Sequence, residues 1–362
     1  ETGREELLAH LETLWENVAT KRTYVTGGIG STEHGERFTE DYDLPNATAY
    51  AETCAAIGSV FWNRRLFELT GDARYADLIE RTLYNAVLAG VSLDGTAFFY
   101  DNRLASDGSH TREGWFDCAC CPPNVARLLA QLERYVYAAD GRDLYVTQYV
   151  GSTATLDIGG TEVAVEQSSE FPWSGEVTID VSAAEPTGAT VHLRVPEWCE
   201  AATVRVNGEA VGVDDGEEIQ VDESGGFVAI DREWDDDRIA ATFEMDVEIL
   251  RSHPAVEADA GRVAIKRGPL VYCLESVDND RPLHQYRVGA GAGLDDDYRP
   301  DLLDGVVVLT GNVGAPSLEG WEGELYRPAS ETTEAAADLT AVPYYAWDNR
   351  ESGPMTVWIH DR

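Results

Sequence analysis

The sequence predicts a multidomain fold in which an all-α part is followed by antiparallel β-sandwich domains. Apolar residues recur at three- and four-residue steps up to about residue 140, and at every second residue from about residue 143 onward. A chain of 362 residues is long enough for two or three domains, and its 43% of hydrophobic residues is typical of a globular protein. This change in the spacing of apolar residues predicts the first domain boundary.

Four amphipathic helices are predicted in the first part of the chain. They cover about residues 7–18, 47–70, 75–89 and 124–136. Gly71 and Gly90 mark the ends of the second and third helices, because glycine is the usual residue just past a helix C-terminus. Long polar connections remain at 22–45 and 91–121, and loops of that length inside a compact domain are usually functional.

Short strands of alternating apolar and polar residues follow from about residue 143. Asn207-Gly208 after the strand at 203–206 predicts a tight hairpin, since both residues tolerate positive φ. Strands at this spacing are typical of antiparallel sandwiches. The expected domains are a helical part over 1–140, a first β-sandwich over 141–250, which 343–362 could complete, and a second β-sandwich over 251–342.

Acidic residues dominate the charge of the chain. Asp and Glu number 66 against 27 Lys and Arg, which gives a net charge of −39 at pH 7. Such a surface disfavours phosphate groups and anionic lipids, so we expect neither nucleic acid nor a membrane as a partner. Only Lys21 and Lys266 are lysines, and a carboxylate-rich, lysine-poor surface is typical of adaptation to high salt.

The sequence constrains the cellular compartment weakly. No run approaches the ~18 apolar residues of a membrane span. Cysteines that stay reduced favour the cytoplasm, which is our expectation, whereas Asn46-Ala47-Thr48 is an N-glycosylation sequon that keeps an extracellular location open. The chain has no initiator Met and begins inside a predicted helix, so we expect an N-terminal part, including any signal peptide, to be missing.

Three of the six cysteines fall within four residues, at Cys118, Cys120 and Cys121, where the fourth helix begins. A helix N-terminus stabilises a thiolate, and a bound metal would stabilise it further. Adjacent cysteines bridge each other only with strain, so the cluster favours metal or thiol chemistry over a disulfide framework. The alternative is that these are inert cysteines buried at a helix start.

Glu52 and Cys54 would supply an oxygen and a sulfur ligand of the kind that zinc accepts. Together with Cys120 and Cys121 they complete a four-coordinate set. Residues i and i+2 do not share a helix face, so this stretch must be irregular or lie at the first turn of a helix. The spacing matches no standard zinc finger or ribbon, and the sequence alone leaves the zinc and metal-free interpretations equally open.

A glycine-rich segment over residues 25–31 precedes Gly35-Glu36. Its spacing fits neither the Walker loop nor the dinucleotide fingerprint, and strongly acidic residues follow it, so we do not expect a nucleotide site. Glycines instead let the backbone approach a ligand closely. Glu36 is a candidate general acid/base, with Glu40, Asp41 and Asp43 as alternatives. A plain solvated surface is the competing interpretation for each of these carboxylates.

These elements, in this order, resemble glycoside hydrolase family 127, the β-L-arabinofuranosidase group. The resemblance spans nearly the whole chain. It rests on Thr26-Gly27-Gly28-Ile29-Gly30-Ser31, Gly35-Glu36, Asp41-Tyr42-Asp43-Leu44-Pro45-Asn46, Ala51-Glu52-Thr53-Cys54-Ala55, Tyr84-Asn85, Phe98-Phe99-Tyr100, Cys118-Ala119-Cys120-Cys121-Pro122-Pro123-Asn124, Leu193-Arg194-Val195-Pro196-Glu197-Trp198-Cys199, Lys266-Arg267-Gly268-Pro269-Leu270-Val271-Tyr272 and Pro343-Tyr344-Tyr345-Ala346-Trp347.

The resemblance implies a retaining glycosidase that releases L-arabinofuranose or a related furanose from β-linked glycans or glycoconjugates. Cys120 would be the nucleophile and Glu36 the acid/base. Tyr100 matches a position near the sugar, and His34 in the site loop could reach it. The implied cofactor is Zn2+, held by the residues matching Glu52, Cys54, Cys120 and Cys121.

The resemblance also implies that residues 1–140 form the C-terminal part of an (α/α)6 barrel, which needs far more helices than the four predicted here. We therefore expect a missing N-terminal half-barrel or a homodimer to cover the apolar stripes of these helices. Cys118, Cys199 and Cys273 match no ligand and are interpreted as structural. The alternative function is a non-catalytic, zinc-stapled fragment that binds carbohydrate.

Overall fold

The computed structural model describes residues 5–211, 219–220 and 226–362. It contains four α-helices over these residues, α1 (Glu5–Lys21), α2 (Thr53–Thr70), α3 (Ala73–Thr82) and α4 (Cys121–Leu129). A π-helical turn, Leu83–Val87, extends α3, and short 3-10 turns lie at Leu132–Tyr135, Glu257–Asp259, Leu283–Gln285, Ala329–Glu331 and Tyr344–Ala346.

The predicted helix ends agree with the structure where a specific residue enforces them. Gly71 adopts φ 71° after α2, and its N–H bonds to the carbonyl oxygen of Phe67, which closes the helix. The side chain of Asp72 then accepts a hydrogen bond from the Arg74 N–H and caps α3. The fourth helix ends earlier than predicted, at Leu129, and the chain continues in a 3-10 turn.

Nineteen strands follow or interrupt the helices in the described residues. They are β1 (Ala105–Asp107), β2 (Tyr137–Asp140), β3 (Asp143–Val146), β4 (Ser152–Ile158), β5 (Thr161–Ser169), β6 (Glu176–Arg194), β7 (Ala201–Val206), β8 (Glu209–Ala210), β9 (Ile219–Gln220), β10 (Phe227–Phe243), β11 (Val247–Leu250), β12 (Arg262–Arg267), β13 (Leu270–Glu275), β14 (Arg287–Val288), β15 (Asp295–Arg299), β16 (Val306–Pro316), β17 (Glu334–Pro343), β18 (Pro354–Thr356) and β19 (Ile359–Asp361).

The middle part of the chain forms a nine-stranded sheet around one apolar core. Its central order is β2-β3-β6-β10-β7-β8. Alternating residues at 177–181 and 191–195 predict two short strands. The structure instead has the continuous 19-residue β6, because β10 pairs along nearly its whole length, so this prediction is wrong. The hairpin prediction is confirmed, with Asn207 and Gly208 at φ 52° and 87° between β7 and β8.

The C-terminal part forms a ten-stranded sheet in which six strands close a ring, in the order β13-β17-β16-β14-β19-β12 and back to β13. Side chains alternate between the two faces of these strands. Ile265 and Tyr272 point into the core of the ring, whereas Ala264 and Val271 point to the N-terminal part of the chain. The ring therefore has an apolar outer face that another part of the chain must cover.

The predicted fold class, an (α/α)6-barrel portion over 1–140 followed by β-sandwiches, is wrong. The described residues contain four α-helices, and the segments between them are loops rather than helical hairpins. Those loops pack on the outer face of the ring, where Tyr24, Ala51 and Phe99 share one core with Val271 and Val308. The second β-sandwich expected over 251–342 is replaced by the closed ring of strands.

Residues 343–362 do not complete the sheet of the middle part. Strand β18 pairs with β1 and β13, and β19 pairs with β12 and β14. Both strands therefore belong to the C-terminal sheet. The pairing of β19 with β12 and β14 closes the ring, whereas β18 lies beside the ring on β13, and both strands carry buried residues such as Met355 and Ile359.

Two sets of contacts fix the N-terminal loops to the ring. The side-chain amide of Asn85 donates to the carbonyl oxygen of Pro269 at 2.8 Å, and the N–H of Val271 donates back to the Asn85 oxygen at 2.8 Å. The buried guanidinium of Arg112 donates to the carbonyl oxygens of Trp347 and Ala89. Loops held by such buried hydrogen bonds are positioned as firmly as regular elements.

The apolar stripe of α1 lies largely in solvent. Trp15 is buried against Tyr75, but Leu7, Leu11 and Leu14 are 43%, 38% and 59% exposed. Within the described residues, α1 therefore presents an apolar stripe to solvent. No helix of the described part of the chain is both long and apolar enough to cross a membrane.

A buried ion pair joins α3 to the middle sheet. Arg194 has no solvent exposure, and its guanidinium lies 2.5 Å from Asp77 and bonds to Glu80 as well. Its Nε donates to the carbonyl oxygen of Thr147, and the indole N–H of Trp198 donates to the second oxygen of Glu80. Every polar group of this network has a partner, as a buried charge requires.

Replacing Arg194 with methionine leaves Asp77 and Glu80 buried without a cation. We expect R194M to lower the free energy of unfolding by about 3–5 kcal/mol, measured by urea titration. The matched control is R238M, because Arg238 makes a two-oxygen pair with Asp180 on the surface, where the loss is about 1 kcal/mol or less. Equal losses in the two variants would contradict a role for the buried pair.

Candidate functional site

Four potential ligands converge at the first turns of two helices. One ligand atom each of Glu52, Cys54, Cys120 and Cys121 lies within 4.8 Å of every other. The two sulfur atoms of Cys120 and Cys121 are 3.7 Å apart, and both thiols lie within hydrogen-bonding distance of Glu52 Oε1, at 3.5 Å and 3.7 Å. The set of four that the sequence predicts is therefore brought together in space.

The helix starts explain how residues two apart in sequence reach one point. Glu52 is the N-cap of α2 with extended backbone, at φ −56° and ψ 136°, and Cys54 is in the first turn. Cys120 is the N-cap of α4, and Cys121 is its first residue. The expectation of an irregular or first-turn geometry is confirmed. Two helix N-termini therefore face the cluster and stabilise negative charge there.

The carboxyl group of Glu52 and the three thiols of the cluster can each ionise, and each negative charge makes ionisation of the others less favourable. Burial raises the pKa of Glu52 and raises that of Cys120 to about 11. Hydrogen bonding with Cys121 lowers the pKa of Cys54 to about 7, while the same contact raises the pKa of Cys121. Ionisation of one thiol therefore makes ionisation of the neighbouring thiols less favourable. A bound cation would remove this competition, so the donor set fits a metal ion.

Tyr100 lies against the cluster. The Cys120 thiol bonds to the Tyr100 hydroxyl oxygen at 3.0 Å, and Phe116 packs edge-on against the Tyr100 ring. The hydrogen bond to Cys120 is the main cause that raises the pKa of Tyr100, so this hydroxyl keeps its proton. Tyr100 can therefore donate a hydrogen bond to a thiolate or to a ligand beside it.

Glu36 is connected to the region of the cysteine cluster by Tyr50, a residue that the sequence does not single out. The hydroxyl of Tyr50 donates a hydrogen bond to Glu36 Oε1 at 2.9 Å, and the rings of Tyr50 and Tyr100 are 6.2 Å apart. Tyr50 is only 6% exposed, whereas Glu36 lies in an exposed turn at φ 46°. The only signal for Tyr50 in the sequence is its position just before Ala51 and Glu52.

The alternative carboxylates are engaged elsewhere. Asp41 pairs with Lys21 at 3.1 Å and with Arg22 at 2.5 Å, which marks it as structural. Glu40 and Asp43 line a separate surface cavity with residues 255–258. His34 is exposed, and its backbone N–H donates to Thr32. Among the described hydrogen bonds, none joins His34 to the cluster.

A buried amide holds the two halves of the site together. The Asn102 side chain donates to the carbonyl oxygen of Ala51 and to the hydroxyl of Thr53, both at 2.9 Å. Thr53 in turn bonds through its hydroxyl to Phe99 and through its N–H to Tyr100. This network sets the segment that carries Glu52 and Cys54 against the segment that carries Tyr100.

The remaining cysteines lie apart from the cluster. Cys118 is exposed and contributes only its carbonyl oxygen, which accepts from the N–H of Cys120 at 2.9 Å. Cys199 and Cys273 are buried in the cores of the middle and C-terminal parts, which confirms their structural interpretation.

Three family models match nearly the whole chain. Residues 1–134 match the β-L-arabinofuranosidase GH127 catalytic domain, residues 143–245 match the GH127 middle domain, and residues 247–360 match the glycoside hydrolase family 127 C-terminal domain. Their boundaries fall where the helical part, the nine-stranded sheet and the ten-stranded sheet succeed one another.

Individual relatives agree with these models. The chain is 40% identical over 380 residues to a non-reducing end β-L-arabinofuranosidase of Bifidobacterium longum, covering 98% of this chain and 56% of that protein. A GH127 β-L-arabinofuranosidase from Geobacillus stearothermophilus T6 superimposes with a TM-score of 0.92 at 43% identity, over 99% of this chain and 57% of the other. A further GH127 β-arabinofuranosidase gives a TM-score of 0.90 at 38% identity, over 100% of this chain and 57% of the other. The chain thus spans little more than half the length of these relatives.

Replacing a cluster thiol should remove a metal ligand. We expect about one metal ion per chain in the wild type, lost or weakened in C54S and C120S, because a serine hydroxyl is a poor ligand for a thiolate-binding metal. Metal content is measured by mass spectrometry on protein purified with reductant. C118S is the matched control and should keep its metal. A folded wild-type protein without metal, or a loss in all three variants alike, would contradict the site.

Proposed function

The chain belongs to glycoside hydrolase family 127, and on this basis we propose that it carries the catalytic centre of a retaining glycosidase. The proposed reaction releases L-arabinofuranose, or a related furanose, from β-linked glycans or glycoconjugates. The observation that carries the proposal is the Glu52, Cys54, Cys120 and Cys121 cluster, with Glu36 linked to it by hydrogen-bonded and neighbouring tyrosines. A nucleophilic sulfur and a carboxylic acid within one site are the groups that such a reaction requires.

Zinc is the metal that we propose for the cluster. Three thiols and a carboxylate are a ligand set that zinc prefers. A tetrahedral ion with zinc–sulfur bonds of about 2.3 Å places two sulfurs about 3.8 Å apart, close to the 3.7 Å between Cys120 and Cys121. When bound, zinc would keep the thiols deprotonated at neutral pH.

Cys120 is the proposed nucleophile. In the first step its sulfur forms a bond to the anomeric carbon while the bond from that carbon to the leaving oxygen breaks, and Glu36 gives its proton to that oxygen. In the second step Glu36 takes a proton from water, the water oxygen bonds to the anomeric carbon, and the carbon–sulfur bond breaks to restore the thiolate. Two inversions at one carbon give overall retention.

The tyrosines and His34 have proposed supporting roles. Tyr100 would donate its hydroxyl hydrogen to the Cys120 thiolate or to a sugar hydroxyl, as its distance of 3.0 Å from the sulfur supports. Tyr50 would orient the Glu36 carboxylate. His34 lies in the same exposed turn as Glu36, from which it would reach the sugar. The need for reduced thiols supports a cytoplasmic location.

The length of the chain relative to its relatives supports one alternative. The exposed leucines of α1 fit association with a partner, either a second copy of this chain or a separate polypeptide. Without such a partner, zinc bound at the cluster would only stabilise the fold of a carbohydrate-binding fragment. That fragment would not hydrolyse its ligand.

Removing the acid/base separates catalysis from binding. We expect E36Q to lower the steady-state release of nitrophenolate from 4-nitrophenyl β-L-arabinofuranoside by about 100-fold or more, because no carboxylate takes the proton from water in the second step, whereas nitrophenolate leaves in the first step without needing a proton. Zinc content should not change. E40Q is the control, since Glu40 lies in the same loop but outside the site. Unchanged turnover in E36Q would refute the assignment, and zinc binding without turnover in the wild type would establish the non-catalytic alternative.

Tyr50 should matter for turnover and not for metal binding. We expect Y50F to lower kcat by about tenfold with little change in KM, because one charge-assisted hydrogen bond that orients Glu36 is lost. Steady-state kinetics and zinc content are both measured. Y42F is the matched control, since Tyr42 is in the same loop but stacks on His253. A loss of zinc in Y50F would show that Tyr50 instead supports the ligand segment.

A further inference from the structure

An arginine pocket lies towards the opposite ends of the two helices that carry the cluster. It comprises four arginines, Arg64, Arg65, Arg127 and Arg134, and the aromatic side chains of Phe61 and Tyr135, around a cavity of about 330 Å³. Helix α2 contributes Cys54 to the cluster and Arg64 to the pocket, ten residues later. That separation corresponds to about 15 Å along the helix axis.

The pocket is positive in a strongly negative protein. Glu68 is its single acidic lining residue, and it is shared between Arg64 at 3.0 Å and Arg65 at 2.9 Å. Arg127 and Arg134 pair with no carboxylate of the described residues, although the chain carries 66 acidic and 27 basic residues. The dipole of α4 favours Arg127 in its last turn, but it does not explain why four guanidinium groups converge.

The side chains of the pocket are arranged to receive a planar anion. The guanidinium of Arg127 lies over the ring of Phe61, 4.5 Å from its centroid, which fixes the orientation of its donors. The hydroxyl of Tyr135 makes no hydrogen bond to another described residue, and this residue is only 6% exposed. Arginine forks bind carboxylates through two parallel hydrogen bonds.

We propose that the arginine pocket binds a uronic acid residue of an acidic glycan. This assignment rests on the proposed function, because a glycosidase acts on a carbohydrate chain. The cavity volume is at the lower end of the range for small-ligand pockets and suits a single sugar unit.

The position of the pocket defines its role. Along the helix axes, Arg64 lies about 15 Å from Cys54 and Arg127 about 9 Å from Cys121, so the pocket is too far from the cluster to take part in bond cleavage. An acidic sugar bound there would belong to the part of the glycan that is retained after the terminal furanose leaves. The pocket would therefore select arabinofuranosides attached to acidic chains over those on neutral chains.

Calorimetric titration of the wild-type chain with trigalacturonate, at low ionic strength, tests the proposal. Galactotriose is the neutral sugar control and citrate is the anion control without a sugar ring. We expect trigalacturonate to bind more tightly than both, with an affinity that falls as salt rises. R134Q and R127Q/R134Q should weaken binding about tenfold or more, since each removes a charge-assisted hydrogen bond. R205Q, at an exposed arginine elsewhere, should change nothing.

Three outcomes would overturn the proposal. Equal binding of citrate and trigalacturonate would make the pocket a general anion site. Binding that R134Q leaves unchanged, or no binding, would remove the site altogether. Self-association of the chain in sedimentation, abolished by R134Q, would assign the pocket to an acidic protein surface. Hydrolysis of a neutral nitrophenyl arabinofuranoside by the same variants should equal that of the wild type, so failure of the pocket and failure of the proposed function remain distinguishable.

Discussion

The site depends on holding four groups together that repel one another once they ionise. A carboxylate and three thiols meet within 4.8 Å at the first turns of α2 and α4. The helix N-termini offset part of the repulsion, and the amide of Asn102 fixes the ligand segment without adding charge. The scaffold thus supplies the geometry, and a cation bound at the cluster would supply the missing positive charge. Among the thiols themselves, the hydrogen bond between Cys54 and Cys121 lowers the pKa of Cys54 and raises that of Cys121.

The strand ring takes the place of helices as the support for the site loops. Its outer face presents Val271 and Val308 to the loop residues Tyr24, Ala51 and Phe99, so the glycine-rich and cysteine-bearing segments rest on a sheet. Loops of about thirty residues would be poorly ordered on their own. Here the hydrogen bonds of Asn85 and Arg112 tie them to the ring and give irregular backbone a fixed course.

Local signals predict the elements and the ligands, whereas pairings between distant segments escape them. Gly71 and Asn207-Gly208 encode a helix end and a hairpin in one or two residues, and Glu52, Cys54, Cys120 and Cys121 stand out by their chemistry. The ring closes through partners such as Arg262 and His360, which no local pattern identifies. Tyr50 was missed because a tyrosine beside alanines looks like core until its hydroxyl is seen against Glu36. The prediction of a helical barrel came from the resemblance to the family and not from the pattern of residues in this chain.

The buried arginine of β6 bears on the order in which the chain can fold during synthesis. Asp77 and Glu80 precede Arg194 by 117 and 114 residues, so they leave the ribosome long before their only buried cation. Until then, packing α3 would bury two uncompensated carboxylates, which is strongly unfavourable. We therefore expect α3 to reach its final packing only after the middle sheet has been synthesised. The helical part of this chain would then be synthesised first and reach its final tertiary packing last.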